Sequence, residues 1–145
     1  MEYVIYTDGS TYINPGLGGW GVIGIKNNLI IYKKYGGSLF STNNKMELMS
    51  IIYAITINEN SKSIEVITDS KYIIVGIYIS ILNKIRKQDL NKQMVNFKYW
   101  KIIFFFIIKK KIKWKWTKSH LKNNYNNIVD IVSKNANTKQ YSITK

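Results

Sequence analysis

Two stretches of this chain share an ending, and that shared ending limits the available folds more than any other feature. Residues 1–7 and 63–68 are rich in β-branched and aromatic side chains, and each runs through a threonine into an aspartate: Tyr6-Thr7-Asp8 and Ile67-Thr68-Asp69. Runs of this kind read as strands. If the two strands lie parallel and adjacent, both carboxylates project together beyond the carboxyl edge of the sheet. That edge is where open α/β sheets usually place ligands.

The segments between and after them complete the pattern. Asn14-Pro15-Gly16 and Gly18-Gly19 mark a turn before a second strand over Trp20 to Ile25, and Asn27-Asn28 predicts a hairpin into a third strand from Leu29 to about Gly36. Ser41 to Asn44 offers helix N-caps, and helical spacing follows from Lys45 to about Ile57. Met46, Met49, Tyr53 and Ile57 form one stripe of that helix, with Glu47, Ile51 and Ala54 on an adjacent one. A helix is expected from about Lys71. Residues 80–100 read as mostly helical, with a bend or loop over Lys87 to Gln93, and Lys98 to Ile108 forms a further apolar helix. Ile112, Trp114 and Trp116 alternate with Lys111, Lys113 and Lys115, which predicts a strand with one buried face. A last helix spans Asn126 to about Ala136. Three strands, helix, strand, helices, strand, helix is the order of an α/β layer fold with a mixed sheet.

The 145 residues suit one domain, read here as 1–145, with 46% hydrophobic and 21% charged residues. The chain has no cysteine, which excludes disulfides and cysteine-based zinc sites. Its start lacks the basic-then-apolar order of a signal peptide, and its longest apolar run, Ile102 to Ile108, falls far short of the ~20 residues that span a bilayer. An intracellular protein with no membrane association is therefore expected. The formal charge is +14, from 22 basic and 8 acidic residues. Such a field draws in polyanions, nucleic acid above all. A compositional origin competes with that reading, because Arg86 is the only arginine and the abundant lysine, isoleucine and asparagine share AT-rich codons.

With only eight acids, their placement is informative. Glu2, Glu59, Glu65 and Asp89 read as surface charges. Asp8 and Asp69 follow strands, Glu47 lies one turn into a helix, and Asp130 sits between Val129 and Ile131 in the last helix. A carboxylate among apolar neighbours is costly unless paired or bound to metal. Oxygen ligands gathered in a basic protein suit hard cations such as magnesium or manganese.

Four blocks of sequence carry a resemblance. Tyr6-Thr7-Asp8-Gly9-Ser10, with Asn14-Pro15-Gly16 and Gly18-Gly19-Trp20-Gly21, resembles the first-strand block of type I ribonuclease H. Thr42-Asn43-Asn44-Lys45-Met46-Glu47-Leu48-Met49 resembles the family's first helix, and Thr68-Asp69-Ser70-Lys71-Tyr72 its fourth strand and following turn. Trp114-Lys115-Trp116-Thr117-Lys118-Ser119-His120, with Asn126 and Asp130, resembles its fifth strand, loop and last helix. The blocks keep the family's order and similar spacing across nearly the whole chain.

The resemblance implies a ribonuclease H-like fold, a five-stranded mixed sheet flanked by helices, in a protein that is usually monomeric. It implies hydrolysis of the RNA strand of RNA–DNA hybrids, with Asp8, Glu47, Asp69 and Asp130 holding two magnesium ions. Such ions, ~4 Å apart, activate the attacking water and stabilise the leaving 3′ oxygen, which yields 5′-phosphate and 3′-hydroxyl ends. Asp69 would bridge the ions, and His120 would assist proton movement or product release. Gly9, Ser10, Asn14, Asn43 and Lys71 match positions near the RNA strand, where 2′-hydroxyls distinguish RNA from DNA. Thr42 and Asn96 match part of a pocket for a DNA phosphate. Lys84, Arg86 and Lys87 fall in the segment corresponding to a basic handle. Three departures stand out: Phe40 where some relatives place an arginine, Ser119 where a glycine is common, and a residue 80–96 segment without the handle's tryptophans.

Two other readings differ in class. A non-cleaving nucleic-acid-binding module on the same fold would be expected to have lost at least one of the four acids. An integrase or junction resolvase would not share the Asn43 to Glu47 block or the glycine-rich first hairpin.

Overall fold

The computed structural model describes residues 3–118 and 124–144, with side chains for 3–118 and 125–137. Among the described residues, five strands and four helices follow one another as β1 (Tyr3–Tyr12), β2 (Gly16–Lys26), β3 (Leu29–Ser41), α1 (Asn43–Ile57), β4 (Ser63–Thr68), α2 (Lys71–Ile85), α3 (Phe97–Lys109), β5 (Lys111–Trp116) and α4 (Asn124–Thr144). They build one mixed sheet in the order β3-β2-β1-β4-β5. The first three strands are antiparallel neighbours, whereas β1–β4 and β4–β5 pair in parallel. The expected fold class is therefore the one observed.

Hairpin chemistry sets the antiparallel half. Asn27 and Asn28 take φ values of 52° and 61°, the left-handed pair that a two-residue hairpin needs and that asparagine tolerates. The strands are longer than their apolar patterns suggest. β1 runs on to Tyr12 and β3 to Ser41, because Asp8 through Tyr12 and the glycine-rich start of β2 continue the ladder without a regular apolar alternation. Asp8 thus lies inside its strand, while β4 ends at Thr68. The segment from 86 to 96 is not helical, and left-handed residues stand near its start and at its end, Lys87 (φ 55°) and Asn96 (φ 60°). β5 is an edge strand, so its expected buried face is only half covered and Trp116 remains 40% exposed.

The helices divide between the two faces. On one face, α1, α2 and α3 enclose the larger core, including Ile5, Val22, Leu48, Ile51, Val66, Ile73, Trp100 and Ile103. Each fully buried aliphatic side chain contributes about 1.5–3 kcal/mol. On the other face α4 packs on β1, β2 and β3, closing a smaller core around Tyr6, Ile23, Ile25, Ile67 and Val129.

The side of α1 that packs inward is the one bearing Glu47, Ile51 and Ala54, joined by Met46, Leu48 and Ile55, while Tyr53 and Ile57 are largely exposed. Gly9 permits the close approach. A Cβ there would overlap the backbone of Met46 and Glu47, so the helix rests directly on β1 only because that residue is glycine. Gly19 makes the matching approach on the opposite face, where a side chain would collide with the backbone of Ser133 and Asn137 in α4. Among the described residues, no helix is long and apolar enough to cross a membrane.

Substituting Gly9→Ala should therefore destabilise the protein by roughly 1–3 kcal/mol, the usual cost of overpacking. A shift of the denaturation midpoint at unchanged m-value would show it, and a midpoint equal to that of the wild type would contradict the packing described.

Candidate active site

The parallel register of β1 on β4 pairs Tyr6 with Ile67, which brings Asp8 and Asp69 level two residues further on. Glu47 reaches them from just past the first turn of α1, whose start is fixed by Thr42: its hydroxyl accepts the Lys45 N–H at 3.2 Å. A carboxylate oxygen from each of Asp8, Glu47 and Asp69 lies within 4.8 Å of the other two. Asp130 joins from α4. It stands within hydrogen-bonding reach of Asp8, and its own carboxylate is held by Lys134 one helical turn away, at 2.9 Å.

The electrostatics of this arrangement are unfavourable on their own. Asp8 and Glu47 are 5% and 7% exposed, and Asp69 is half-buried. Burial, the charge of Asp69 and the closeness of Asp130 push the Asp8 carboxyl up to about 7, although a hydrogen bond with Glu47 acts the other way. Glu47 is raised well above its ordinary value by burial first and by Asp8 second, with the Gly9 N–H giving partial relief. Ser133 donates its hydroxyl to Asp8 Oδ2 at 3.0 Å. Glu47 Oε2 is buried with no hydrogen-bond partner. An orphaned carboxylate oxygen facing two other carboxylates is what a hard divalent cation would complete, and an all-oxygen donor set is what magnesium and manganese prefer. The residues present therefore fit such a metal.

Around the carboxylates, the β1–β2 hairpin is fastened to the start of α1. Asn43 Oδ1 accepts both the Thr11 N–H (2.9 Å) and the Thr11 hydroxyl (2.6 Å), and Asn14 Oδ1 accepts the Asn43 N–H at 3.1 Å. The backbone donors fix the orientation of both amides: each asparagine spends its oxygen on the protein and turns its NH2 group, a donor, away from it. Ser10 accepts from Asn137 at 2.9 Å. Lys71 begins α2 after the Ser70 cap and lies over the Trp116 ring, 5.8 Å from its centre. Trp116 in turn donates its indole N–H to the Asp69 carbonyl at 3.1 Å.

Other expected residues fall elsewhere. Asn96 donates to the Tyr72 hydroxyl at 3.0 Å, which also accepts from Trp100, so it belongs to a cluster at the start of α3. Lys84 is exposed, and its ammonium donates to the Ile107 carbonyl at 2.9 Å near the end of α3. Arg86 and Lys87 are exposed beyond the end of α2, and Phe40 is 73% exposed. His120 lies outside the described residues. Sequence reading missed Ser133, Lys134 and Asn137, yet their spacing from Asp130, at i+3, i+4 and i+7, places all of them on one helical face with it.

A mixed sheet in the order β3-β2-β1-β4-β5, with carboxylates clustered where its two central parallel strands meet, defines a ribonuclease H-like fold. Solved structures agree. The N-terminal ribonuclease H domain of a Mycobacterium tuberculosis protein superposes with a TM-score of 0.74 at 17% identity, covering 99% of both chains. LC11-RNase H1, solved in complex with an RNA/DNA hybrid, gives 0.72 at 18% identity, covering 95% of this chain and 98% of that one. The chain belongs to the ribonuclease H family, whose profile matches residues 1–138. It is 37% identical to the ribonuclease H of Orientia tsutsugamushi (strain Boryong), over 97% of this chain and 85% of that protein. It is likewise 37% identical to ribonuclease HI of Rickettsia prowazekii (strain Madrid E), over 89% and 86%.

Replacing Asp8 tests the charge crowding. Its folded-state pKa, about 7, lies above the ordinary 3.8 of an aspartate, so without metal its contribution to stability is lost as pH rises between those values. Asp8→Asn should therefore stabilise the metal-free protein increasingly from pH 4 to 7, reaching a plateau of roughly 1–4 kcal/mol above that. Denaturant titrations of both proteins in EDTA across this range measure the difference, and a difference independent of pH would refute the crowding.

Proposed function

We propose that residues 1–145 form a single catalytic domain that hydrolyses the RNA strand of RNA–DNA hybrids and leaves 5′-phosphate and 3′-hydroxyl ends. The observation that carries this reading is the buried carboxylate cluster with its orphaned Glu47 oxygen, in a chain of the ribonuclease H family. Asp8, Glu47, Asp69 and Asp130 would hold two divalent cations, magnesium or manganese. When bound, these would supply the charge and Lewis acidity for an in-line displacement at phosphorus.

The chain's own residues do the rest. Ser133 and the Gly9 N–H orient Asp8 and Glu47, and Lys134 keeps Asp130 directed toward the site. The NH2 groups of Asn14 and Asn43 offer donors to 2′-hydroxyl oxygens in the minor groove of the hybrid, and Gly9, Ser10 and Lys71 are assigned to the same RNA strand. Thr42 and Asn96 are assigned to a DNA phosphate. Arg86 and Lys87 provide exposed charge along the flank, and Lys84 supports that segment through α3. His120 is assigned the proton or product-release step. The protein would work as a monomer. Support for a hybrid as the substrate comes from the related LC11-RNase H1, which was solved bound to one. A non-cleaving module is disfavoured, because it would retain the cost of four crowded carboxylates without a use for them.

Incubation of the protein with labelled RNA–DNA hybrid, duplex RNA, duplex DNA and single strands, with and without magnesium, should show cleavage of the hybrid's RNA strand alone and only with metal. Asp69→Asn should retain the fold and lose at least about three powers of ten in rate, since an amide keeps the shape but not the charge that holds hard cations. Activity within a few-fold of the wild type at saturating magnesium would refute the assignment.

A further inference from the structure

β5 carries a row of lysines outside the carboxylate cluster. Lys111, Lys113 and Lys115 occupy alternate positions of the strand, so all three point from one face of the sheet, about 6.6–7 Å apart, and all are exposed. Their partners in β4 are Ser63, Glu65 and Ile67. Through Val4↔Glu65 and Tyr6↔Ile67 these residues share the face of β1 that bears Tyr6 and Asp8. It is the face on which α4 packs, and α4 lies over β1, β2 and β3, at the far side of the sheet from β5. A depression of about 470 Å³ beside Ser63, Lys111 and Lys113 marks its lower end.

The row also leads somewhere. Its upper end stands against the catalytic edge, where Thr117 N–H donates to the Thr68 carbonyl at 2.9 Å and the Trp116 indole to the Asp69 carbonyl. Lys115, paired with Ile67, stands two residues below Asp69 on the same face. Lysines do guard edge strands against pairing with other chains. That duty sets no requirement that they form an unbroken same-face row ending at the carboxylates. The described residues place one acid beside the row, Glu65 opposite Lys113, and no ion pair joins the two.

We propose that this row is a track for an unpaired stretch of the strand being cut, its phosphates lying along Lys115, Lys113 and Lys111 as that strand leaves the hybrid. The proposal rests on the hybrid-cleaving reading for its geometry. The lysine spacing is comparable to that of successive phosphates in an extended single strand, and each contact releases condensed counterions. The cut strand is favoured over its complement because the row shares a face with Asp8 and adjoins Asp69. Glu65 opposes the phosphates and limits their affinity.

The test compares binding, in EDTA across a salt series, of a blunt hybrid with hybrids carrying a ten-nucleotide unpaired tail on either the RNA or the DNA strand. The RNA tail should tighten binding about tenfold and steepen the salt slope by about two, at roughly 0.7 per single-strand phosphate contact. K111Q/K113Q/K115Q should abolish that gain while cleaving blunt hybrid in magnesium at the wild-type rate. K33Q/K34Q, which removes charge from β3 at the opposite edge, should preserve the gain, and E65Q should enlarge it several-fold. A gain that survives in the triple variant, that disappears equally in K33Q/K34Q, or that a DNA tail reproduces would overturn the track. Failure of the wild type to cleave blunt hybrid would overturn the hybrid-cleaving reading instead, and a lysine-dependent tail gain would then still support the track.

Discussion

Three carboxylates within 4.8 Å of one another, two of them nearly removed from water, are the constraint on which the rest of this structure depends. In isolation the arrangement is strained, because burial and like charge both oppose ionisation. The scaffold nevertheless keeps the groups together. Parallel pairing levels Asp8 with Asp69, the absence of a side chain at Gly9 seats α1 directly on β1 and brings in Glu47, and Ser133 holds Asp8 in place. Stability given up in one place is recovered in the apolar cores on either side of the sheet. The partnerless Glu47 oxygen shows where the recovery is incomplete, and a divalent cation would supply what is missing.

The two faces of the sheet contribute differently. The α1 face holds most of the apolar mass and one carboxylate. The α4 face is thinner, and its polar upper end is chemically denser: Asp130, Ser133, Lys134 and Asn137 descend one side of a single helix toward Asp8 and Ser10. That layout leaves the glycine-rich hairpin and the start of α1 free to form the rim, fastened by Asn14, Asn43 and Thr11. The amide groups of Asn14 and Asn43 at the rim are thus fixed by the same bonds that hold the first helix in position.

Much of this was legible in the sequence, and the parts that were not have physical reasons. The paired Thr-Asp endings announced the parallel strands, and the scarcity of acids singled out Asp8, Glu47, Asp69 and Asp130. Strand lengths were underestimated because Gly9, Ser10, Gly18 and Gly19 carry no apolar alternation, yet they extend the ladder through backbone pairing alone. The inward face of α1 was ambiguous by periodicity, since Met46–Tyr53–Ile57 and Glu47–Ile51–Ala54 both suit a buried stripe. In the structure Glu47, Ile51 and Ala54 are buried together with Met46, whereas Tyr53 and Ile57 are not, and the peptide joining Met46 to Glu47 lies against Gly9. Lys84 illustrates the opposite limit: no sequence pattern announces that its ammonium donates to the Ile107 carbonyl.

If crowded carboxylates await a cation, then binding that cation must stabilise the fold, and must do so through Glu47. The most direct measurement is the thermal midpoint at pH 8 with and without 10 mM magnesium or manganese, in the wild type and in Glu47→Gln. Metal should raise the wild-type midpoint by several degrees, since a ligand bound only by the folded state stabilises it by mass action. Glu47→Gln should melt higher than the wild type in EDTA and gain little on adding metal. A wild-type midpoint indifferent to either cation, or a Glu47→Gln protein that melts lower than the wild type in EDTA yet responds equally to metal, would contradict the account.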